Sequence, residues 1–292
     1  MNKKIRLISL CSGYDSQLLG LLRLKEYAES VGDTMDVECV AWCEFDPESK
    51  RPVDEQPAVK AHKMLHPECA ERNLGDMTKV DWLKFKAELR DGKEISEEEF
   101  TKTFTTASSY EEYLEHPAML SDKGNELMAW DADIDILTYS TPCQSISNAG
   151  LQHGFEPGSG TRSSILWDTL KCIEVLKPKY LLQENVKAIV SDKFLPMFNA
   201  WQLAVEKMNY FNHTQVLNAK EYGVPQNRER LFMLSIRDDL DTRYRFPAPF
   251  PLKKKLEDVL EDKVDEKYYI AQEKTDEWIE KERERLEKEG LI

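Results

Sequence analysis

The sequence predicts an α/β fold built on a mostly parallel, doubly wound sheet, with an antiparallel pair of strands at one edge. Three observations lead there. Short apolar runs of strand length alternate with stretches of helical periodicity. The loops joining them are short. Several strand ends carry a glycine, an acidic residue or a Pro-Cys pair, and open α/β sheets bind ligands outside those ends.

Residues 5–10 read as the first strand, followed by a turn at Ser12-Gly13-Tyr14-Asp15-Ser16. A helix over 17–30 follows, with Leu18, Leu21, Leu22 and Tyr27 inward. Strand, glycine turn and helix open a nucleotide-type fold, although only one glycine of the usual pattern is present. Residues 37–43 form the second strand and end at Glu44-Phe45-Asp46. An acidic residue there can hold ribose hydroxyls or simply stand in solvent. A helix over 56–65 comes next, then a turn at Leu74-Gly75-Asp76 beside a third strand, then a helix over 81–90 with Trp82, Phe85 and Leu89 on one face. Residues 91–130 read as an acidic insertion, a solvated surface subdomain without chemistry of its own, whose helices start at EISEEEF and SSYEEYLEH.

The stretch IDILTYSTPCQSISNAG, residues 134–150, organises the rest. Its apolar start reads as a buried strand, and Cys143 falls just beyond the strand end. A lone cysteine is ordinarily a buried structural thiol. Here Pro142 fixes the backbone before it, and Gln144, Ser145, Ser147 and Asn148 make a polar surround unlike a core. A helix beginning at this point would favour the thiolate through its N-terminal dipole. A helix over 163–176, a strand over 180–183 ending at Glu184-Asn185-Val186, and a helix over 195–208 with Pro196 in its first turn come after. Strands over 211–217 and 230–236, joined by NAKEYGVPQNRE, form the edge pair. FPAPFP is a stiff linker, and a short helix covers 256–260. The helix over 276–289 has seven acidic and four basic residues with few apolar ones (Trp278, Ile279, Leu286), so it buries little by itself.

At 292 residues the chain can bury a large core in one large domain or two. No apolar run reaches about 18 residues, so no membrane span is expected. The start MNKKIRLISLCSG lacks the length and cleavage site of a signal peptide. The cysteines (11, 39, 43, 69, 143 and 172) show no CxxC pair and no zinc spacing, which points to free thiols in a reducing cytoplasm and to no metal. A net charge of −14 argues at first against nucleic acid. However, 13 acidic residues and only three lysines lie between Asp91 and Asp135, so that stretch carries most of the excess and a basic groove elsewhere stays open.

Four stretches stand in order: LCSGYDSQ, STPCQSISNAG, LLQENVKAI and NAKEYGVPQNRERLFMLSIR. Together they resemble the DNA cytosine-5 methyltransferase family over about residues 5–250, with the acidic insertion as the main interruption. The resemblance implies a Rossmann-like fold that uses S-adenosylmethionine on a cytosine flipped out of double-stranded DNA. Its setting would be the cytoplasm of a prokaryote or the context of a phage or mobile element, with restriction-modification as one role. It implies that Cys143 attacks C6 of the base, that Glu184 engages N3, and that Arg228 and Arg230 supply fixed positive charge to the base oxygen, to Glu184 or to the backbone. Gln144, Ser147, Asn185 and Gln226 fall on the substrate side, Asn185 shaping the turn that presents Glu184. For the cofactor it implies Ser12 and Gly13 at the first turn, Glu44 at the ribose, Phe45 against adenine and Asp76 at its amino group, with Pro142 and Ile165 lining the same pocket. The corresponding domains are a catalytic and cofactor-binding domain over 1–250 and a charged helical extension over 251–292.

The chain also departs from the family pattern. Asp15 stands where the first turn usually carries a second glycine, and Cys11 where an aromatic is common. After Phe250 neither a variable target-recognition region nor the family's final motif is found. That leaves an RNA substrate, or a non-catalytic regulatory protein keeping the fold, as competing readings. It also makes a second polypeptide carrying the recognition region a candidate partner, docked on helix 276–289. The chain alone is then expected to bind DNA weakly, without useful sequence discrimination.

Overall fold

The computed structural model describes residues 3–147 and 153–290. Its sheet is made of β1 (Lys3–Leu10), β2 (Met35–Cys43), β3 (Ile136–Tyr139), β4 (Tyr180–Val186), β5 (Tyr210–Asn218) and β6 (Glu229–Arg237). Their order across the sheet is β2-β1-β3-β4-β6-β5. The first four are parallel, and β6 runs antiparallel between β4 and β5. The chain goes outward from β1 to β2 and then crosses back to β3, so the direction of winding switches between β1 and β3. The loops leaving those two strands therefore border the crevice where this architecture binds ligands. Central strands are buried on both faces: Leu7, Ile8, Leu10, Leu137, Tyr139, Leu181 and Met233 are fully shielded.

The helix α1 (Ser16–Ser30) is capped by Asp15, whose carboxylate accepts from the Leu18 N–H at 3.0 Å. Asp15 sits at φ +48°, the left-handed region that glycine or a short polar residue tolerates. The residue that departs from the family's second glycine thus takes a left-handed backbone and caps the helix as well. Tyr27 is 64% exposed, not inward, because α1 buries only the Leu18 side and part of Leu21 and Leu22. After α2 (Pro57–Leu65) the expected third strand is absent from the described residues near Leu74; a single bridge between Trp42 and Asn73 takes its place.

The acidic segment is not merely a solvated surface. Serines 96, 109 and 121 cap α4 (Glu97–Phe104), α5 (Tyr110–Glu115) and α6 (Asp122–Ala129). Their apolar sides meet in a core of Ile95, Phe100, Phe104, Tyr113 and Leu127, which includes Leu83 and Ala87 of α3 (Trp82–Asp91). Lys86 of α3 is buried and donates to the carbonyls of Met128 (3.1 Å) and Val175 (2.8 Å) at the ends of α6 and α7 (Thr169–Leu176). Burial pushes its pKa down to about 8.

A 3₁₀ turn, Arg162–Asp168, precedes α7, so the predicted single helix has two parts. Beyond α8 (Leu195–Glu206) the chain divides into two units. The first holds the chain up to Asn218 together with Arg228–Ala248; the second holds Ala219–Asn227 and the chain from Pro249. The boundary thus assigns the loop between β5 and β6 to the C-terminal unit. Within that unit Phe250 packs against Gly223 (φ +84°), where a Cβ would approach the ring to 3.2 Å, and its N–H donates to Glu221 O. The helix α9 (Gln272–Lys288) buries no residue, and Trp278 and Ile279 stand half exposed. Among the described residues no helix is long and apolar enough to cross a membrane, and no group of three or more His, Cys, Asp or Glu side chains could hold a metal ion.

Candidate active site

The loops after β1, β2 and β3 enclose a cavity of about 550 Å³. Glu44, Phe45, Asp76, Pro142 and Ile165, all assigned to the cofactor by the resemblance, line it together. Glu44 is set by the turn after β1: the Gly13 N–H donates to its carboxylate at 2.7 Å, and Gly13 reaches this geometry at φ +52°. Burial raises the Glu44 pKa, and the Gly13 contact and Arg162 partly offset that rise. Asp76 accepts from the N–H and hydroxyl of Thr78 with one oxygen, which makes it a local cap as well as a cavity wall. Ser12 and Gly13 do not line the cavity. Ser12 donates its N–H to Cys43 O at 3.2 Å, and its buried hydroxyl has no protein partner.

This cavity fits the S-adenosylmethionine that the resemblance implies. Its volume lies in the usual range for small-molecule sites. Glu44 has a carboxylate that could meet a ribose diol, and Phe45 an aromatic face. Cys11 lines the cavity where an aromatic is common, with its thiol against Met77 sulfur at 3.7 Å.

Cys143 occupies a tight turn beyond β3. Its carbonyl accepts from the N–H groups of Ile146 (2.9 Å) and Ser147 (2.8 Å). Among the described residues, 144–147 form a turn and not a helix, so no helix begins directly at the thiol. The turn is pinned from below instead. The Ser145 N–H donates to the buried Ser163 hydroxyl at 3.2 Å, and Ser145 O accepts from Gly154 N–H at 2.9 Å. Cys143 itself is partly exposed. Asn148 and Gly150 lie outside the described residues.

Glu184 and Asn185 lie within β4, which runs on to Val186, and strand alternation sends them to opposite faces. Asn185 is buried, and its amide donates toward Thr141 O (3.4 Å) and Thr141 Oγ1 (3.5 Å). It thereby steadies the backbone just before Pro142-Cys143 instead of facing a substrate. Glu184 is paired with Arg230 of the neighbouring antiparallel strand, Nε to Oε1 at 3.1 Å. Burial raises the Glu184 pKa, while Arg230 and then Arg228 pull it back. Arg228 is exposed, with its N–H on Asn218 Oδ1 at 3.1 Å. A second, more open cavity of about 680 Å³ is bordered by Ser147, Lys187, Glu229 and Arg230. Pro142 and Gln144 line the first cavity and Ser147 the second, so Cys143 lies in the turn between the two. Gln144, expected on the substrate side, thus lines the first cavity. Gln226 is exposed and belongs to the C-terminal unit, where its N–H donates to Val224 O at 2.7 Å.

Sequence reasoning did not find Arg162, Ser163, Asp168 or Thr78. Arg162 ties the 3₁₀ turn to the loop after β2 through Asp46 (3.0 Å) and Glu48 (3.3 Å). The only signal in the sequence is an isolated arginine in GTRSS, which by itself points nowhere.

A family model described as C-5 cytosine-specific DNA methylase matches residues 97–291, about two thirds of the chain. It includes most of the acidic segment and the C-terminal helix, both of which the motif resemblance left out. Type II methyltransferase M2.ScrFI of Lactococcus lactis subsp. cremoris is 46% identical over 138 residues, 47% of this chain and 38% of that protein. Type II methyltransferase M.HhaI of Haemophilus parahaemolyticus is 37% identical over 129 residues, 44% of this chain and 38% of that protein. These matches thus span little more than a third of the relatives' own length. Among solved structures, a mutant of Spodoptera frugiperda DNMT2 aligns with a TM-score of 0.56 and 18% identity over 91% of this chain and 62% of that chain, a likeness of fold. The family match, spanning both sides of the Cys143 turn and the Glu184–Arg230 pair, shows that the chain belongs to the C-5 cytosine-specific DNA methylase family.

Proposed function

We propose that this chain transfers a methyl group from S-adenosylmethionine to C5 of a cytosine flipped out of double-stranded DNA. The observation that carries this reading is the position of Cys143 in a pinned turn, with a cofactor-sized cavity on one side and the cavity bordered by Arg230, the ion-pair partner of Glu184, on the other. Bound in the first cavity, S-adenosylmethionine would supply an electrophilic methyl group on a sulfonium. Cys143, as thiolate, adds to C6 of the base. The C5=C6 pair shifts to C4–C5 and the C4=N3 pair settles on N3, where Glu184 delivers a proton. C5, now nucleophilic, would take the methyl group, the pair of the broken S–CH3 bond staying on sulfur so that S-adenosylhomocysteine is released. Water removes the C5 proton, the C5=C6 pair re-forms, the C6–S bond breaks back to thiolate, and the N3 proton returns to Glu184.

Glu184 suits this work because burial keeps its proton to a higher pH than an exposed glutamate holds it. Arg230 is held beside it as a fixed positive charge in a partly buried site. Ser163 and Asn185 act beneath the turn, holding Cys143 in position. The setting proposed is that of the named bacterial relatives, the prokaryotic cytoplasm. The comparisons lend no support to a second polypeptide carrying a recognition region.

The test is transfer of labelled methyl from S-adenosylmethionine to duplex DNA and, in parallel, to RNA, using the purified chain. A duplex carrying 5-fluorocytosine should trap a covalent bond to Cys143, because fluorine does not leave C5 as a proton does. Labelling of RNA with no reaction on DNA would replace the substrate, and no labelling of either with bound cofactor would favour a regulatory role.

A further inference from the structure

The loop between β5 and β6 is carried by more than the strands it joins. Ala219–Asn227 group with the chain from Pro249, although Asn218 before them and Arg228 after them belong to the sheet unit. The loop opens as a 3₁₀ turn, Ala219–Tyr222, and then closes on itself. Val224 N–H donates to Ala219 O at 3.2 Å, and Gln226 N–H to Val224 O at 2.7 Å. Phe250 meets this loop at Glu221, Tyr222 and Gly223 in succession. Its N–H donates to Glu221 O at 2.9 Å. Its ring stands edge-on to Tyr222, with centroids 6.1 Å apart and planes at 84°. Its Cε2 would lie 3.2 Å from a Cβ on Gly223, whose φ of +84° already favours glycine. The segment FPAPFP supplies the stiffness behind these contacts. Pro249 and Pro251 flank Phe250, and a residue before proline is held extended.

The same loop leads straight into the arginines of the substrate side. Arg228 follows it, with its N–H on Asn218 Oδ1 at 3.1 Å, so the loop is closed at its base by the sheet. Arg228 lies near enough to Glu184 to draw its pKa down, and Arg230 pairs with Glu184 at 3.1 Å. We infer that Phe250 is a positioning residue: by pinning Glu221, Tyr222 and Gly223 it fixes the loop that presents Arg228 to the base. This rests on the proposed reading of Glu184, Arg228 and Arg230 as the groups around the flipped cytosine. Phe250 acts through the loop and not on the reacting atoms. It is half exposed, so replacing it removes the pin without emptying a core.

The experiment compares Phe250→Ala, Gly223→Ala and the double variant in the full chain. Each single variant should lower kcat/KM for duplex DNA by about two- to tenfold, the worth of an aromatic contact. Calorimetry with S-adenosylhomocysteine should stay within about twofold, which also shows that the variants are folded. Phe250→Tyr keeps the ring and should restore the rate. Gly223→Ala should cost less in the Phe250→Ala background, because the added methyl then has no ring to meet. Amide hydrogen exchange within 219–227 should quicken in Phe250→Ala while β5 and β6 keep their protection. Strictly additive losses, unchanged exchange in the loop, or equal losses for duplex and S-adenosylhomocysteine would overturn the pin. An active unsubstituted chain whose rate ignores Phe250→Ala would sink this inference alone. An unsubstituted chain that binds S-adenosylhomocysteine but methylates no duplex would remove the substrate-side reading and this inference together.

Discussion

The two cavities flanking the Cys143 turn differ in charge and in construction. The cofactor-side cavity has four carboxylates and one arginine, drawn from loops after three strands and from the 3₁₀ turn. The other has Lys187, Arg230 and Glu229 on its border, drawn mainly from β4 and β6 and the turn after β4, with Lys187 and Glu229 paired at 3.0 Å. An acidic pocket beside a more basic one is what a cationic cofactor and a polyanionic strand would each select. The contrast also teaches where precision resides. Strand-borne Glu184 and Arg230 are fixed by sheet register, whereas loop-borne Glu44 depends on the Gly13 N–H to hold it.

If the two sides are separable, variants should damage one and spare the other. The largest effect is expected from Cys143→Ser, which should abolish methyl transfer and trapping by 5-fluorocytosine duplex, yet leave S-adenosylhomocysteine affinity unchanged by calorimetry. A trapped adduct in this variant would remove the nucleophile assignment. Glu184→Gln should lower the turnover rate by a factor on the order of 10²–10⁴, the usual contribution of a general acid, with cofactor affinity preserved. Because burial raises the Glu184 pKa, its proton persists above the ordinary glutamate range and is lost as pH rises through the folded value. The rate should therefore show an alkaline descent that disappears in the Gln variant, and an unchanged descent would assign it to another group. Glu44→Ala should do the reverse, weakening cofactor binding by roughly 1.5–3 kcal/mol with little effect on the rate at saturating cofactor. Unaltered affinity would take Glu44 out of the site. The smallest effect sharpens the comparison at its junction. Ser163→Ala deprives the buried Ser145 N–H of its acceptor, at a cost of about 1 kcal/mol, and should reduce turnover and cofactor affinity each by no more than about fivefold. A loss confined to one side would show that the turn does not couple the two.

Much of the fold was legible because it is written locally. The strand–turn–helix opening, the helix caps at Ser96 and Ser109, and the antiparallel pair β5 and β6 follow from short patterns that act within a few residues. The acidic segment was misread for one reason. It looked solvated because charge dominates it, yet Phe100, Phe104 and Leu127 recur on one side of their helices and find Leu83 and Ala87 to pack against. The C-terminal helix, equally charged, has too few apolar positions to do the same, and it buries nothing.

By itself the sequence determined the identity and order of the groups proposed to react, since Pro142-Cys143, Glu184 and the two arginines are fixed by covalent neighbours. Only the tertiary structure decided which of them meet and which way they face. Alternation in β4 says that Glu184 and Asn185 point oppositely, but not which face is covered. Packing of Trp201 on Gln183, with Nε1 to Oε1 at 2.9 Å, marks the Gln183 and Asn185 side as interior, which leaves Glu184 on the face where Arg230 reaches it. The cofactor-side cavity is likewise a product of distance in sequence. Residues as far apart as Cys11 and Asp168 share its wall because the crossover at β1 and β3 folds their loops together, and no local pattern encodes that encounter.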